Sequence, residues 1–207
     1  MIRSQSFGRL RVALLAVGCF VGAGHSQAAD AAVLIDSFTS CSPDFFSSLE
    51  ANVTALGPST VHESGDADPM QGGAAMFAAP VEVRGLHLTS FIQATPQKEA
   101  PTRYYRWGFQ VTETPEVAAK AISSFARDAN FRERRGEFGW VMDLERDWKT
   151  QNDGTAIEHR SPTRMMLIRP SREPGVAGSY IECGVQASQM TGHEVLPKIS
   201  VVFGVAP

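Results

Sequence analysis

Residues 104–111 read Tyr104, Tyr105, Arg106, Trp107, Gly108, Phe109, Gln110, Val111, and they alternate strictly. Tyr105, Trp107, Phe109 and Val111 form an apolar set; Tyr104, Arg106, Gly108 and Gln110 form a polar or small one. Successive side chains of a strand point to opposite faces, so the segment has one side for a core and one for water. That pattern belongs to an antiparallel sheet wetted on one face.

Working outward, the same period of two recurs upstream at Val81 and Val83, then at Leu86, Leu88 and Ser90 after a phase slip at Gly85, where a bulge or bend is expected. Downstream, strands are expected over Gly139 to Arg146, Thr155 to Arg160, Thr163 to Arg169 and Ser179 to Ala187. A last one is expected where Ile199, Val201, Phe203 and Val205 alternate. Turn residues separate them: Asn152, Asp153 and Gly154; Ser161 and Pro162; Glu173, Pro174 and Gly175.

Two helices interrupt the strands. Ser42, Pro43 and Asp44 supply a start signal ahead of Phe45, Phe46, Leu49, Val53 and Leu56 at helical spacing, with Gly57 and Pro58 as the stop. Thr114, Pro115 and Glu116 open a second helix with Ala118, Ala121, Ile122, Phe125 and Ala129 on its buried stripe, ending near Phe131. Without a regular alternation of strand and helix, the fold class expected is α+β. It is a mostly antiparallel sheet of about seven or eight strands with two main helices on one face and one disulfide. Residues 57–80, rich in Gly, Pro, Asp and Ala, are expected to form a long loop, of the kind that is functional or mobile.

The chain has 207 residues, 43% hydrophobic and 20% charged, an ordinary globular composition. Its start has the order of a secretory signal: Arg3, Arg9 and Arg11 without an acid, an apolar run from Val12 to Ala23, then Ser26, Gln27, Ala28 and Ala29. Cleavage is expected after Ala28, or after Ala29, leaving residues 29–207 as a single domain. The apolar run is too short for a membrane-spanning helix, for which about 20 residues are needed. A soluble protein exported to the periplasm is expected. A rival reading takes Ala16, Val17, Gly18 and Cys19 as a lipoprotein signal, although Ala16 stands where leucine is expected.

Export gives the cysteines their meaning. Cys41 and Cys183 alone survive cleavage, and an oxidising compartment pairs them. So far apart, they suit a staple better than a redox couple, which favours a Cys-x-x-Cys arrangement. Loss of the three leader arginines leaves 16 basic residues against 22 acidic ones, a charge near −6. Such a chain is a poor partner for nucleic acid. The basic run Arg132, Arg134 and Arg135 is expected at the end of the second helix, where cations meet the negative end of the macrodipole.

No motif names a reaction. The chain carries no nucleophile elbow, no Ser-x-x-Lys, no phosphate-binding glycine loop and no clustered metal ligands, so no cofactor is assigned. Asp143, Glu145 and Asp147 share one strand face, where charge pairing with Arg160, Arg164 or Arg169 is expected. The reading reached is a non-enzymatic protein that binds an envelope or secreted protein partner, as an accessory or inhibitor. Its expected contacts are the loop residues His62, Met70, Met76 and Phe77, and the polar-face residues His87, Tyr104, Arg106 and Gln110. A hydrolase using His87 or His159 with a nearby acid is the first alternative, and a small-molecule or metal carrier the second.

Overall fold

A computed structural model describes residues 23–63, 72–94, 104–150, 156–171, 177–186 and 199–204. The elements run α1 (Ala23–Phe38), α2 (Phe45–Asn52) with a 3-10 turn (Val53–Leu56), β1 (Ser59–Glu63), β2 (Gly72–Val83), β3 (Leu86–Ala94) and β4 (Tyr104–Val111). They continue with α3 (Pro115–Phe125), β5 (Arg132–Arg134), β6 (Glu137–Thr150), β7 (Ala156–Pro170), β8 (Ser179–Gln186) and α4 (Ile199–Val202). The eight strands form one antiparallel sheet in the order β1-β2-β3-β4-β8-β7-β6-β5. Each half of the chain thus contributes helix and then a four-stranded meander, and the two meanders join where β4 pairs with β8.

The expected α+β class and the Cys41–Cys183 disulfide are both present, the two Cα atoms lying 5.2 Å apart. The alternation in β4 holds: Trp107, Phe109 and Val111 are fully buried and Arg106 is exposed. Trp107 and Phe109 meet Phe38 of α1 and Phe45 and Phe46 of α2 in a cluster of ring contacts between 5.1 and 6.5 Å. Pairs of this geometry contribute about 0.5–1.5 kcal/mol each beyond the area they bury. They fix the helices to one face. No described helix is long and apolar enough to cross a membrane.

Several expectations are corrected. The stretch 57–80 is not a loop through its length, because Ser59–Glu63 and Gly72–Val83 pair as β1 and β2. Glycine and alanine have poor strand propensity, but the close approach of neighbours requires the two glycines here. A Cβ on Gly72 would lie 2.0 Å from the Gln93 carbonyl oxygen, and one on Gly73 would lie 2.9 Å from that of His62. The phase slip at Gly85 is a hairpin turn, with Arg84 at φ 52° and Gly85 at φ 75°, the handedness that two-residue hairpins favour.

Ser161 and Pro162 do not divide two strands. They lie within the single strand β7, where the register against β6 shifts around Asp143 and accommodates the proline. The expected last strand is instead the short helix α4, tied to β1 because the Glu63 carboxylate accepts the Ser200 N–H at 3.2 Å and its hydroxyl at 2.5 Å. The second helix stops at Phe125, so Arg132 and Arg134 belong to the edge strand β5 and Arg135 to the turn after it, not to a helix end. α1 was not expected at all. Its Ala31, Leu34, Ile35 and Phe38 are buried at helical spacing, downstream of the cleavage site expected from the leader.

Candidate functional site

All described helices pack on the face that carries Trp107, Phe109 and Ile181, leaving the opposite face free of them among the described residues. Register places its side chains in rows across the strands. One row runs Thr60, Met76, Ser90, Gln110, Tyr180, Arg169; the next runs His62, Ala74, Ile92, Gly108, Glu182, Leu167.

The middle of this face is polar yet nearly dry. Ser90, Gln110, Tyr180, Glu182 and Gln186 are each less than a tenth exposed. Burial of such groups is tolerable only when they are paired. The Ser90 hydroxyl donates to Gln110 Oε1 at 3.2 Å, and Arg169 donates twice to the Glu182 carboxylate, at 2.7 and 2.9 Å. Those bonds hold the guanidinium even more firmly charged, and it stacks 5.0 Å from the Tyr180 ring centre. The centre is therefore a rigid floor, and the reactive-looking exposed groups stand around it.

Of the contacts expected from sequence, His62 and Met76 lie diagonally adjacent on β1 and β2, both exposed on this face, and Arg106 is exposed on β4. Gln110 is on the face but belongs to the buried floor, so it is not a surface contact. Phe77 is corrected as well: it turns to the helix side and packs against Phe203, ring centres 6.4 Å apart. Met70 lies outside the described residues, and Tyr104 is described only as the first residue of β4. His87 does not neighbour Arg106. Its carbonyl accepts the Thr112 N–H while Arg106 pairs with Ala94, which separates the two by about 20 Å along the strands.

The partner of His87 is Glu113, a residue the sequence reading passed over because it follows β4 and pairs across 26 positions. Glu113 Oε1 lies 2.7 Å from His87 Nδ1, Oε2 accepts the His87 N–H at 3.1 Å, and Thr112 donates its hydroxyl to Oε1 at 3.0 Å. The hydrogen bond to Glu113 raises the His87 pKa above its ordinary value. Burial pushes the Glu113 carboxyl up, but the bonds from His87 and Thr112 outweigh it and hold the carboxyl below its ordinary value. An imidazole oriented in this way has the form of a general base with one free nitrogen. Neither cavity described in the structure is lined by it.

The pair has a pH signature. A raised histidine pKa contributes stability that is complete below about pH 6.5 and is lost as pH rises through the folded value. A lowered glutamate pKa contributes stability that is complete above about pH 4.5 and is lost as pH falls through its folded value. The Tm advantage of the native chain over His87→Gln is therefore expected to be largest between about pH 4.5 and 6.5 and to shrink on both sides. A pH-independent difference in thermal scans would show that the pair is not formed in solution.

Elsewhere, Asp143 pairs with Arg164 at 2.5 Å as expected, and Arg164 also donates to the Ser40 carbonyl beside Cys41. Arg169 goes to Glu182 instead. The side chains of Glu145, Asp147, His159 and Arg160 lie outside the described ones. Among the described residues no group of three or more His, Cys, Asp and Glu gathers as a metal site. No protein-family model matches the chain, and no curated protein and no solved structure matches it.

Proposed function

We propose that the protein is an exported, non-enzymatic binding protein, and that it docks an envelope or secreted protein partner on the face of its sheet opposite the described helices. What supports the reading above all is the exposed set His62, Met76 and Arg106 on β1, β2 and β4, spread over roughly 14 Å of the sheet beside its buried centre. Met76, 42% exposed, and Arg106, which has no ion-pair partner among the described residues, are residue types enriched at interfaces. The dry floor beside them carries the satisfied polar pairs that keep such a surface rigid, and rigid surfaces lose less entropy on binding.

Photo-crosslinkers placed at positions 76 and 106 in the native host are expected to yield one common protein adduct, and one at Val117 on the outer side of α3 to yield none. Met76→Asp combined with Arg106→Glu is expected to weaken affinity for that partner at least tenfold, about 1.4 kcal/mol or more. Equal labelling from all three positions would argue against this face.

The His87–Glu113 pair favours a second reading, a hydrolase in which His87 acts as base. A hydrolytic activity lost in both His87→Ala and Glu113→Gln would replace the binding reading with that one.

A further inference from the structure

We propose that the cleft at the β5–β6 end of the sheet binds an extended acidic segment of a protein partner, laid along the edge of β6. The nature of the occupant rests on the protein-binding reading above; the site itself rests on separate observations. The cleft has a volume of about 1090 Å³ and is lined by Arg132, Arg134, Arg135, Glu137, Val141 and Leu167 among others. Once the run is seen to form a strand and turn rather than a helix end, the macrodipole no longer accounts for it.

The three arginines are uncommitted. None makes an ion pair or side-chain hydrogen bond among the described residues, although the register sets Arg134 opposite Glu137. Glu133 receives the Gly136 N–H instead, and the carboxylate of Glu137 contributes to holding Arg169 charged. In a chain of net charge −3, three guanidinium groups unpaired among the described residues, against the one carboxylate of Glu137 in the lining, are a local reversal of sign that selects an anionic partner.

Backbone geometry strengthens the case. Arg135 sits at φ 57°, a conformation that suits Gly or Asn and costs an arginine on the order of 1 kcal/mol. The other Arg-Gly turn has the same geometry at Arg84, but there the side chain is occupied, bonded to Asp36 at 2.6 Å and lying 5.7 Å from the Phe125 ring centre. Arg135 has no such intramolecular role among the described residues.

An extended peptide fits better than a lipid or a free anion because of the open edge. β5 pairs only with Glu137 to Gly139, while β6 continues to Thr150, so from Trp140 onward the outer edge of β6 is unpaired by any described strand. A peptide strand can take up backbone hydrogen bonds there, which an acyl chain cannot. Arg132 and Arg134 project from alternate positions of β5, and Arg132, opposite Gly139, stands at the point where the open edge begins, so the end of an acidic strand laid on that edge meets the arginine cluster. Val141, 48% exposed, lies two positions beyond Gly139, the partner of Arg132, and offers apolar contact where the open edge begins.

The test uses the full mature chain and a fluorescent synthetic peptide alternating glutamate with valine, followed by anisotropy. Binding is expected, weakening as salt rises, and falling at least tenfold in Arg132→Glu/Arg134→Glu. Arg135→Gly is expected to bind several-fold more weakly while its Tm stays level or rises, a split that a purely structural arginine would not produce. Val117→Asp, on the outer side of α3 and outside both sites, is expected to leave peptide affinity unchanged, and the cross-linking at positions 76 and 106 is read separately, so that failure of the sheet-face reading and failure of this site are told apart. Equal binding of a glutamine-valine peptide, no effect of the arginine variants, or binding of phosphatidylglycerol vesicles without binding of the peptide would each overturn the proposal.

Discussion

Replacing Cys41 and Cys183 together by alanine is expected to lower stability by about 3–5 kcal/mol, a fall in Tm of about 10 °C for a domain of this size. The bridge spans 142 positions, so its removal releases a long loop of the unfolded chain, for which the chain-entropy model gives about 5 kcal/mol. Its folded-state position adds to this. Cys41 sits between α1 and α2 at φ 45°, and Cys183 sits in the centre of β8, so the bond draws the helix pair onto the middle of the sheet. Both sulfurs are buried, and the aromatic cluster of Phe38 and Phe45 closes over that join. In the reduced or alanine form, amide exchange should therefore rise first in α1 and α2, ahead of β4 and β8. A Tm change under about 2 °C, or uniform loss of protection, would contradict this account.

Gly108→Ala is expected to be as damaging, at about 3 kcal/mol or more, although it adds one methyl group to a strand. A Cβ at Gly108 would stand 1.9 Å from the Ile181 carbonyl oxygen and 2.9 Å from Glu182 Cα, both backbone atoms that no rotamer change can move. Relief requires β8 to draw away from β4, and that pairing is the seam joining the two meanders. Overpacking in a close-packed interior usually costs about 1–3 kcal/mol; a collision with backbone at the seam belongs at or beyond the upper end. Gly139→Ala in β6 is the control. Nothing lies within 4 Å of its Cβ position, and a change within about 1 kcal/mol is expected there. Denaturant titrations of the two variants decide the matter: similar midpoints for both would mean that the β4–β8 seam yields freely.

The candidate binding face was half legible in sequence. Arg106 and Met76 were found because one stands on the polar phase of a clean alternation and the other in a stretch singled out for its composition. The floor they surround was not. Glu182 and Arg169 are 13 positions apart in sequence and meet only because β7 pairs with β8, and Gln110 was placed on the right face but with the wrong exposure, since burial there depends on what adjoins it across β3 and β8. Glu113 was missed for the same reason, because its pairing with His87 is a consequence of strand order.

What the sequence by itself determined is local and periodic. The two-residue period of β4 and β8, the starts of α2 and α3, the inward phase of Cys183 and the pairing of Cys41 with Cys183 all follow from side-chain alternation, capping and counting. Tertiary structure decided everything that required one segment to meet another. It made strands of the Gly- and Ala-rich β1–β2 region, kept β7 whole across Pro162, turned residues 199–202 into a helix held by Glu63 through Ser200, and set an arginine run on a sheet edge instead of a helix end. The physical reason is that strand propensity is weak, on the order of 1 kcal/mol across its whole scale, whereas a paired neighbour on each side supplies a ladder of hydrogen bonds and a buried face that local preference cannot outweigh.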